Sequence, residues 1–98
     1  MNKYEMLYII SAKQTEEQRE AIIAKVQKMV EDRNGSVEKI DKWGMKKLAY
    51  PIQFQNEGFY VLMNFELNPL EVRGLENALN IMEPIVRKMI VSKDKGEN

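Results

Sequence analysis

The sequence predicts an α+β domain in which two helices cover one face of a four-stranded antiparallel sheet. Two segments place apolar residues at the three- and four-residue spacing of an amphipathic helix, and four segments are rich in branched and aromatic residues. Their order along the chain is strand, helix, strand, strand, helix, strand. The length of 98 residues fits one such domain, which we expect over residues 1–92, with residues 93–98 as a short polar tail.

The first strand is predicted over residues 3–10, KYEMLYII. Its even-numbered positions carry aromatic and aliphatic side chains, and this period of two is typical of a strand with one buried face. Leu7 and Ile9 lie on the other side of the strand. If the even side faces the helices, both are exposed apolar residues, which predicts that they bind a partner.

The first helix is predicted to begin after Thr15. Gln18 follows three residues later, which is the spacing of a capping box. Two glutamates lie in the predicted first turn, where the helix dipole favours negative charge. Asn34 and Gly35 supply a left-handed residue that ends the helix. Between these ends lies one apolar stripe, formed by Ile22, Ile23, Val26, Met29 and Val30.

The middle of the chain predicts two more strands. Residues 36–52 have an extended pattern with a break at Trp43-Gly44, so Gly44 marks a bulge or a tight bend. Pro51 cannot donate a hydrogen bond to a neighbouring strand, which places this strand at a sheet edge. A polar turn is predicted from Gln53 to Glu57, followed by the strand FYVLMNFEL over residues 59–67.

The second helix is predicted to begin at Asn68, with Pro69 at its first position and Glu71 at its third. Its apolar stripe ends near Pro84, and residues 85–92, IVRKMIVS, form the last strand. Right-handed crossovers then give the ferredoxin-like βαββαβ arrangement, with both helices on one face. We expect the other face of the sheet to be left uncovered by its own chain.

Composition excludes several classes of function. The chain has no cysteine and no histidine, which removes thiolate chemistry, the commonest metal ligand and the usual acid–base group near neutral pH. Its glycines form no phosphate-binding loop. We therefore expect no enzyme, no metal and no cofactor. The first residues lack the pattern of a secretory leader, and no apolar run reaches a membrane span, so we expect a cytoplasmic soluble protein.

The segment DKWGMKKLAYPI, residues 41–52, combines lysines with large apolar residues. Leu48 and Tyr50 share one side and can anchor the strand. Lys46 and Lys47 either guard an exposed sheet edge against aggregation or bind phosphate from a rigid element. The 15 basic and 15 acidic side chains balance overall, so net charge does not decide between these readings.

Four segments of the chain resemble the bacterial small-subunit ribosomal protein S6 family. The segment WG, two basic residues and LAYPI is similar to the signature of that family, and KYEMLYII, GFYVLMNFE and IVRKMIV lie at matching positions. The resemblance covers residues 3–92. It departs from the family pattern at Lys42, where relatives usually carry an acidic residue, and at Met45, where they usually carry a basic one.

The resemblance implies a structural protein of the small ribosomal subunit. Such a protein binds the central domain of 16S ribosomal RNA together with ribosomal protein S18 as its heterodimer partner. It supports subunit assembly and translation in the cytoplasm. The side chains expected to contact RNA are Lys3, Trp43, Lys46, Lys47, Arg87 and Lys88, with Arg87 able to grip a phosphate bidentately. Trp43 either stacks on nucleic acid or packs at the bend. The alternative function is a ferredoxin-like protein-interaction or small-ligand-sensing domain without RNA binding.

Overall fold

The computed structural model describes residues 1–52 and 55–93. Its strands are β1 (Asn2–Ser11), β2 (Ser36–Ile52), β3 (Gln55–Leu67) and β4 (Ile85–Ser92), and its helices are α1 (Glu16–Asp32) and α2 (Val72–Asn80). A short 3-10 turn (Pro69–Glu71) precedes α2. The strands form one sheet in the order β2-β3-β1-β4, with every neighbouring pair antiparallel. The predicted ferredoxin-like arrangement is confirmed, and β2 lies at an edge, as Pro51 indicates.

The residues predicted to begin and end α1 do so in the structure. The hydroxyl oxygen of Thr15 accepts a hydrogen bond from the backbone N–H of Gln18 at 3.1 Å, and the Gln18 side-chain oxygen accepts from the Thr15 N–H at 2.9 Å. Asn34 takes the left-handed conformation with a φ of 63°. Gly35 has a different role, because a Cβ there would lie 2.5 Å from the backbone oxygen of Glu66. Glycine thus allows the chain after α1 to pass close to β3.

The start of the second helical segment differs in detail from the prediction. The side chain of Asn68 accepts a hydrogen bond from the Leu70 N–H at 3.0 Å, and Pro69 occupies the first position, as expected. The first turn is a 3-10 turn, and α2 begins after it. Glu71 does not complete a capping box there. Its carboxylate lies 3.9 Å from the Nε of Arg33, where it forms an ion pair.

The hydrophobic core lies between the two helices and one face of the sheet, which confirms that both helices pack on the same face. The even-numbered side of β1 and the odd-numbered side of β3 face α1 and α2. Its most deeply buried side chains include Met6, Tyr8, Ile10, Val26, Val30, Val61, Met63, Phe65, Leu67, Leu75 and Leu79. Burial, with the nearby negative charge of Glu20, raises the pKa of the Tyr8 hydroxyl far above its usual range, so this core phenol stays neutral.

The hairpin between β2 and β3 corrects two predictions. β3 begins at Gln55, so the residues from Gln55 to Glu57 form a strand and not a turn; Gln53 and Phe54 lie outside the described residues. Between the pairs Lys47–Glu57 and Ile52–Gln55, β2 advances five residues while β3 advances two. The extra residues of β2 bulge out of the ladder and fold over the sheet. The face expected to be uncovered is therefore partly covered by its own chain.

Candidate partner and nucleic-acid surface

We call the side of the sheet opposite the helices the open face. Cross-strand partners in antiparallel strands lie on the same side of a sheet, so the register defines this face row by row. One row crosses all four strands through Asp41, Leu62, Leu7 and Met89, and the next crosses them through Gly44, Tyr60, Ile9 and Arg87.

An apolar stripe runs across the middle of the open face. Leu62, Leu7 and Met89 form one row of it, and Val91 of β4 lies beside Met89 on the same side. Met89 is 58% exposed, and Val91 is exposed as well. Neighbouring apolar side chains exposed on one face of a sheet are typical of a surface that binds another macromolecule.

Leu7 and Ile9 lie on the predicted face but differ in accessibility. Leu7 is half-buried, whereas Ile9 is only 6% exposed. A Cβ at Gly58 would lie 2.3 Å from the side chain of Ile9 and 3.5 Å from that of Leu48, so these groups meet over the glycine. The end of β2 therefore covers Ile9. The expected exposure of Ile9 was wrong, because sequence parity assigns a face but does not show which segment folds over it.

The break at Trp43-Gly44 is a β-bulge, one of the two predicted alternatives. Lys42 pairs with Val61 and Gly44 pairs with Tyr60, which leaves Trp43 as the extra residue. Gly44 has a φ of 93°, a conformation that other residues rarely adopt. The rings of Trp43 and Tyr60 stack with centroids 6.5 Å apart and planes 8° from parallel. Trp43 packs at the bend and remains 46% exposed.

Lys42 and Met45 lie on the helix side of β2. The Lys42 amine donates to both carboxylate oxygens of Glu20 in α1, at 2.7 and 2.9 Å, and so ties the bulge to that helix. Met45 pairs with Phe59, whose strand neighbour on β1 is the buried Ile10. Both positions at which the chain departs from the family pattern therefore lie away from the open face.

Arg87 lies on the open face and contacts the end of β2 there. Its Nη1 donates a hydrogen bond to the Tyr50 hydroxyl at 2.6 Å, and its guanidinium carbon lies 5.5 Å from the centroid of the Tyr50 ring. A groove of about 190 Å³ lies here, and its walls include Ile9, Leu48 and Met89. The end of β2 thus reaches across the sheet from one edge strand to the other.

The other predicted cations are distributed over the molecule. Lys46 lies on the open face, one row beyond Arg87, whereas Lys47 lies on the opposite side of β2. Lys3 is exposed at the far end of the open face. Lys88 points to the helix side, where its amine donates to the side-chain oxygen of Asn80. The structure therefore places Arg87 and Lys46 in adjoining rows but on opposite edge strands, and it keeps Lys3 and Lys88 apart from them.

Sequence reasoning missed the contact between Tyr50 and Arg87. The two residues are 37 positions apart, and Tyr50 was expected only to anchor β2. The sequence offers one signal of this contact. Tyr50 lies on the same side of its strand as Leu48, which indicates that its side chain reaches the sheet.

Two further observations concern other classes of site. Within residues 1–52 and 55–93, no group of three or more acidic side chains is placed to bind a metal ion. Neither helix in that part of the chain has the length and apolar character needed to cross a bilayer.

The fold and the open face together define a protein of the ferredoxin-like class whose exposed apolar and cationic side chains are suited to docking on other macromolecules. The family model of ribosomal protein S6 matches residues 3–92. The chain belongs to this family, whose members are structural, non-enzymatic proteins of the small ribosomal subunit and are associated with ribosomes in the cytoplasm. The expected class and the absence of enzymatic activity are confirmed by this membership.

Individual relatives span the chain almost completely. It is 44% identical over 91 residues to the small ribosomal subunit protein bS6 of Clostridioides difficile, and the match covers 93% of this chain and 98% of the relative. It is 42% identical over 95 residues to bS6 of Clostridium novyi, and the match covers 97% of this chain and 100% of the relative. The crystal structure of 30S ribosomal protein S6 from Thermotoga maritima matches with a TM-score of 0.91 and 32% identity, covering 98% of this chain and 91% of the other.

Proposed function

We propose that this protein binds the central domain of 16S ribosomal RNA together with ribosomal protein S18, and that it supports assembly of the small subunit and translation. The observation that carries the proposal is the layout of the open face. There an exposed apolar stripe adjoins a row that ends in Arg87.

Both signs of charge occur on the open face. Glu5 and Glu66 lie at one end of it together with Lys3 and Lys39, and Arg87 lies at the other, with the apolar stripe between them. A protein partner fits the apolar stripe, because exposed apolar side chains favour docking. RNA fits the end that carries Arg87, where a cation on a strand loses little entropy on binding a phosphate. One face then serves both partners, side by side.

The groove beside Arg87 gives little support to the alternative role as a small-ligand sensor. The groove beside Arg87 has a volume of about 190 Å³, whereas ligand sites in proteins typically occupy about 300–1,000 Å³. Its walls come from strands that already meet through the Tyr50–Arg87 contact. The groove is thus too small for most metabolites.

The direct test of this function is sedimentation. An epitope-tagged copy expressed in its own cell type should co-sediment with small ribosomal subunits on a sucrose gradient in magnesium buffer. A tagged variant with Phe65→Ala serves as the control for folding, because this change removes a buried core ring. Recovery of the wild-type protein only at the top of the gradient would contradict the proposal.

Pairing with S18 should depend on the apolar stripe. We expect Leu7→Glu and Met89→Glu each to weaken the binding of S18 by at least about tenfold, because a carboxylate would be desolvated at the interface without a partner. Met89→Glu should leave the melting temperature nearly unchanged, since Met89 is 58% exposed. Titration calorimetry with purified S18 measures the affinities, and thermal denaturation followed by circular dichroism measures the melting temperature.

The matched control for these variants is Ile81→Glu. Ile81 is 81% exposed and follows α2, on the helix side of the sheet, so it offers the same chemical change away from the stripe. Equal weakening by Ile81→Glu, or unchanged binding by Met89→Glu, would show that S18 does not dock on the stripe.

A further inference from the structure

Arg87 is held differently from the other two arginines with described contacts. Arg33 forms an ion pair with Glu71 and donates to two backbone oxygens, and Arg19 lies over the Phe59 ring and donates to a backbone oxygen. Both tie elements of the fold together. Arg87 is exposed, and among the described residues it belongs to no ion pair. Its side-chain hydrogen bond goes to a neutral phenol.

This arrangement fixes the guanidinium without neutralising it. A guanidinium has five N–H donors, and the bond to the Tyr50 hydroxyl uses one of them. A carboxylate in the same place would cancel the charge, whereas a phenol oxygen leaves it available for an anion. Arginine also has considerable rotamer freedom, and a side chain that is already held loses less of it on binding.

We propose that Tyr50 is a positioning residue, which holds Arg87 at the edge of the open face so that its remaining N–H groups grip one backbone phosphate of the RNA. The inference rests on the proposed function, because it takes ribosomal RNA as the source of the phosphate. It adds a role for the end of β2: the bulged segment carries Tyr50 across the sheet to the opposite edge strand. The guanidinium carbon of Arg87 also lies over the Tyr50 ring, 5.5 Å from its centroid, and this cation–π contact favours the same orientation.

The test is a double-mutant cycle on the complex with S18, with a central-domain fragment of 16S RNA as the probe. Tyr50→Phe removes the hydroxyl and keeps the ring, so the packing of the β2 end is retained. We expect Arg87→Ala to weaken RNA binding by about tenfold and to lower the salt slope by about 0.7 to 0.9, the contribution of one phosphate. We expect Tyr50→Phe alone to weaken binding about three- to tenfold, the range for one hydrogen bond.

The decisive readout is the effect of Tyr50→Phe in the Arg87→Ala background. If Tyr50 acts through Arg87, the phenylalanine variant changes the affinity of that background no further. Tyr4→Phe is the matched control, because it removes a hydroxyl from a tyrosine that lies on the helix side of the sheet, where its ring stacks on Phe65, and it should bind RNA normally. Affinity for S18 should be unchanged in Tyr50→Phe.

The outcomes separate this inference from the function on which it rests. Unchanged or tighter RNA binding by Tyr50→Phe, or an equal loss in both backgrounds, would overturn the positioning role while Arg87→Ala still weakens binding. Unchanged affinity and salt slope in Arg87→Ala would overturn both the positioning role and the proposed phosphate contact.

Discussion

Replacing Phe65 by alanine is expected to destabilise the protein by about 3–5 kcal/mol, the usual cost of removing a large aromatic ring from a core. Phe65 is completely buried in β3. Its ring stacks on that of Tyr4 with centroids 5.7 Å apart, and its cross-strand neighbours are Tyr4 and Val37. The loss is a large share of the roughly 5–15 kcal/mol that stabilises a domain. The melting temperature should therefore fall by at least about 12 °C, at roughly 4 °C or more per kcal/mol.

Ile81→Ala provides the comparison for this loss. Ile81 is also a large apolar residue, but it is exposed, so its truncation should change the free energy of unfolding by no more than about 0.5 kcal/mol. Urea denaturation followed by circular dichroism measures both variants. A loss below about 1 kcal/mol for Phe65→Ala would show that the sheet and the helices do not pack as described.

The second large effect concerns RNA. We expect S18 to raise the affinity for central-domain RNA by at least about 100-fold, because a docked basic partner joins two weak contacts into one composite surface. The distribution of cations is the reason to expect weak binding by the lone protein. Of the side chains predicted to contact RNA, Arg87 and Lys46 lie in adjoining rows of the open face but on opposite edge strands, and Lys88 lies on the helix side. The 15 acidic side chains offset the 15 basic ones, so no broad attractive field adds to these contacts.

Local signals in the sequence predicted most of the fold. The capping box at Thr15, the left-handed Asn34 and the bulge at Gly44 each depend on residues within a few positions, and each was found where it was expected. Pro51 placed β2 at an edge for a similar reason. The start of β3 was missed, because polar residues such as Gln55 and Glu57 carry the composition of a turn while their backbone pairs with β2.

The candidate surface was less predictable from sequence. Alternation along β1 assigned Leu7 and Ile9 to the correct face, since that depends only on strand parity. It did not show that the bulged end of β2 folds over Ile9 and carries Tyr50 to Arg87, because these contacts join residues about 40 positions apart. The resemblance to the S6 family led to the prediction of which cations contact RNA. The strand register was needed to place Lys88 on the helix side of the sheet, away from the open face.

Filter binding of a central-domain 16S RNA fragment, with and without S18, tests the central claim most directly. At physiological salt the lone protein should bind at about micromolar affinity or weaker, as expected for a few phosphate contacts. The pair should bind at least about 100-fold tighter. The triple variant Lys46→Ala, Lys47→Ala, Arg87→Ala should lose most of that gain and show a smaller salt slope. Nanomolar binding by the lone protein, or an unchanged affinity and salt slope in the triple variant, would contradict the account.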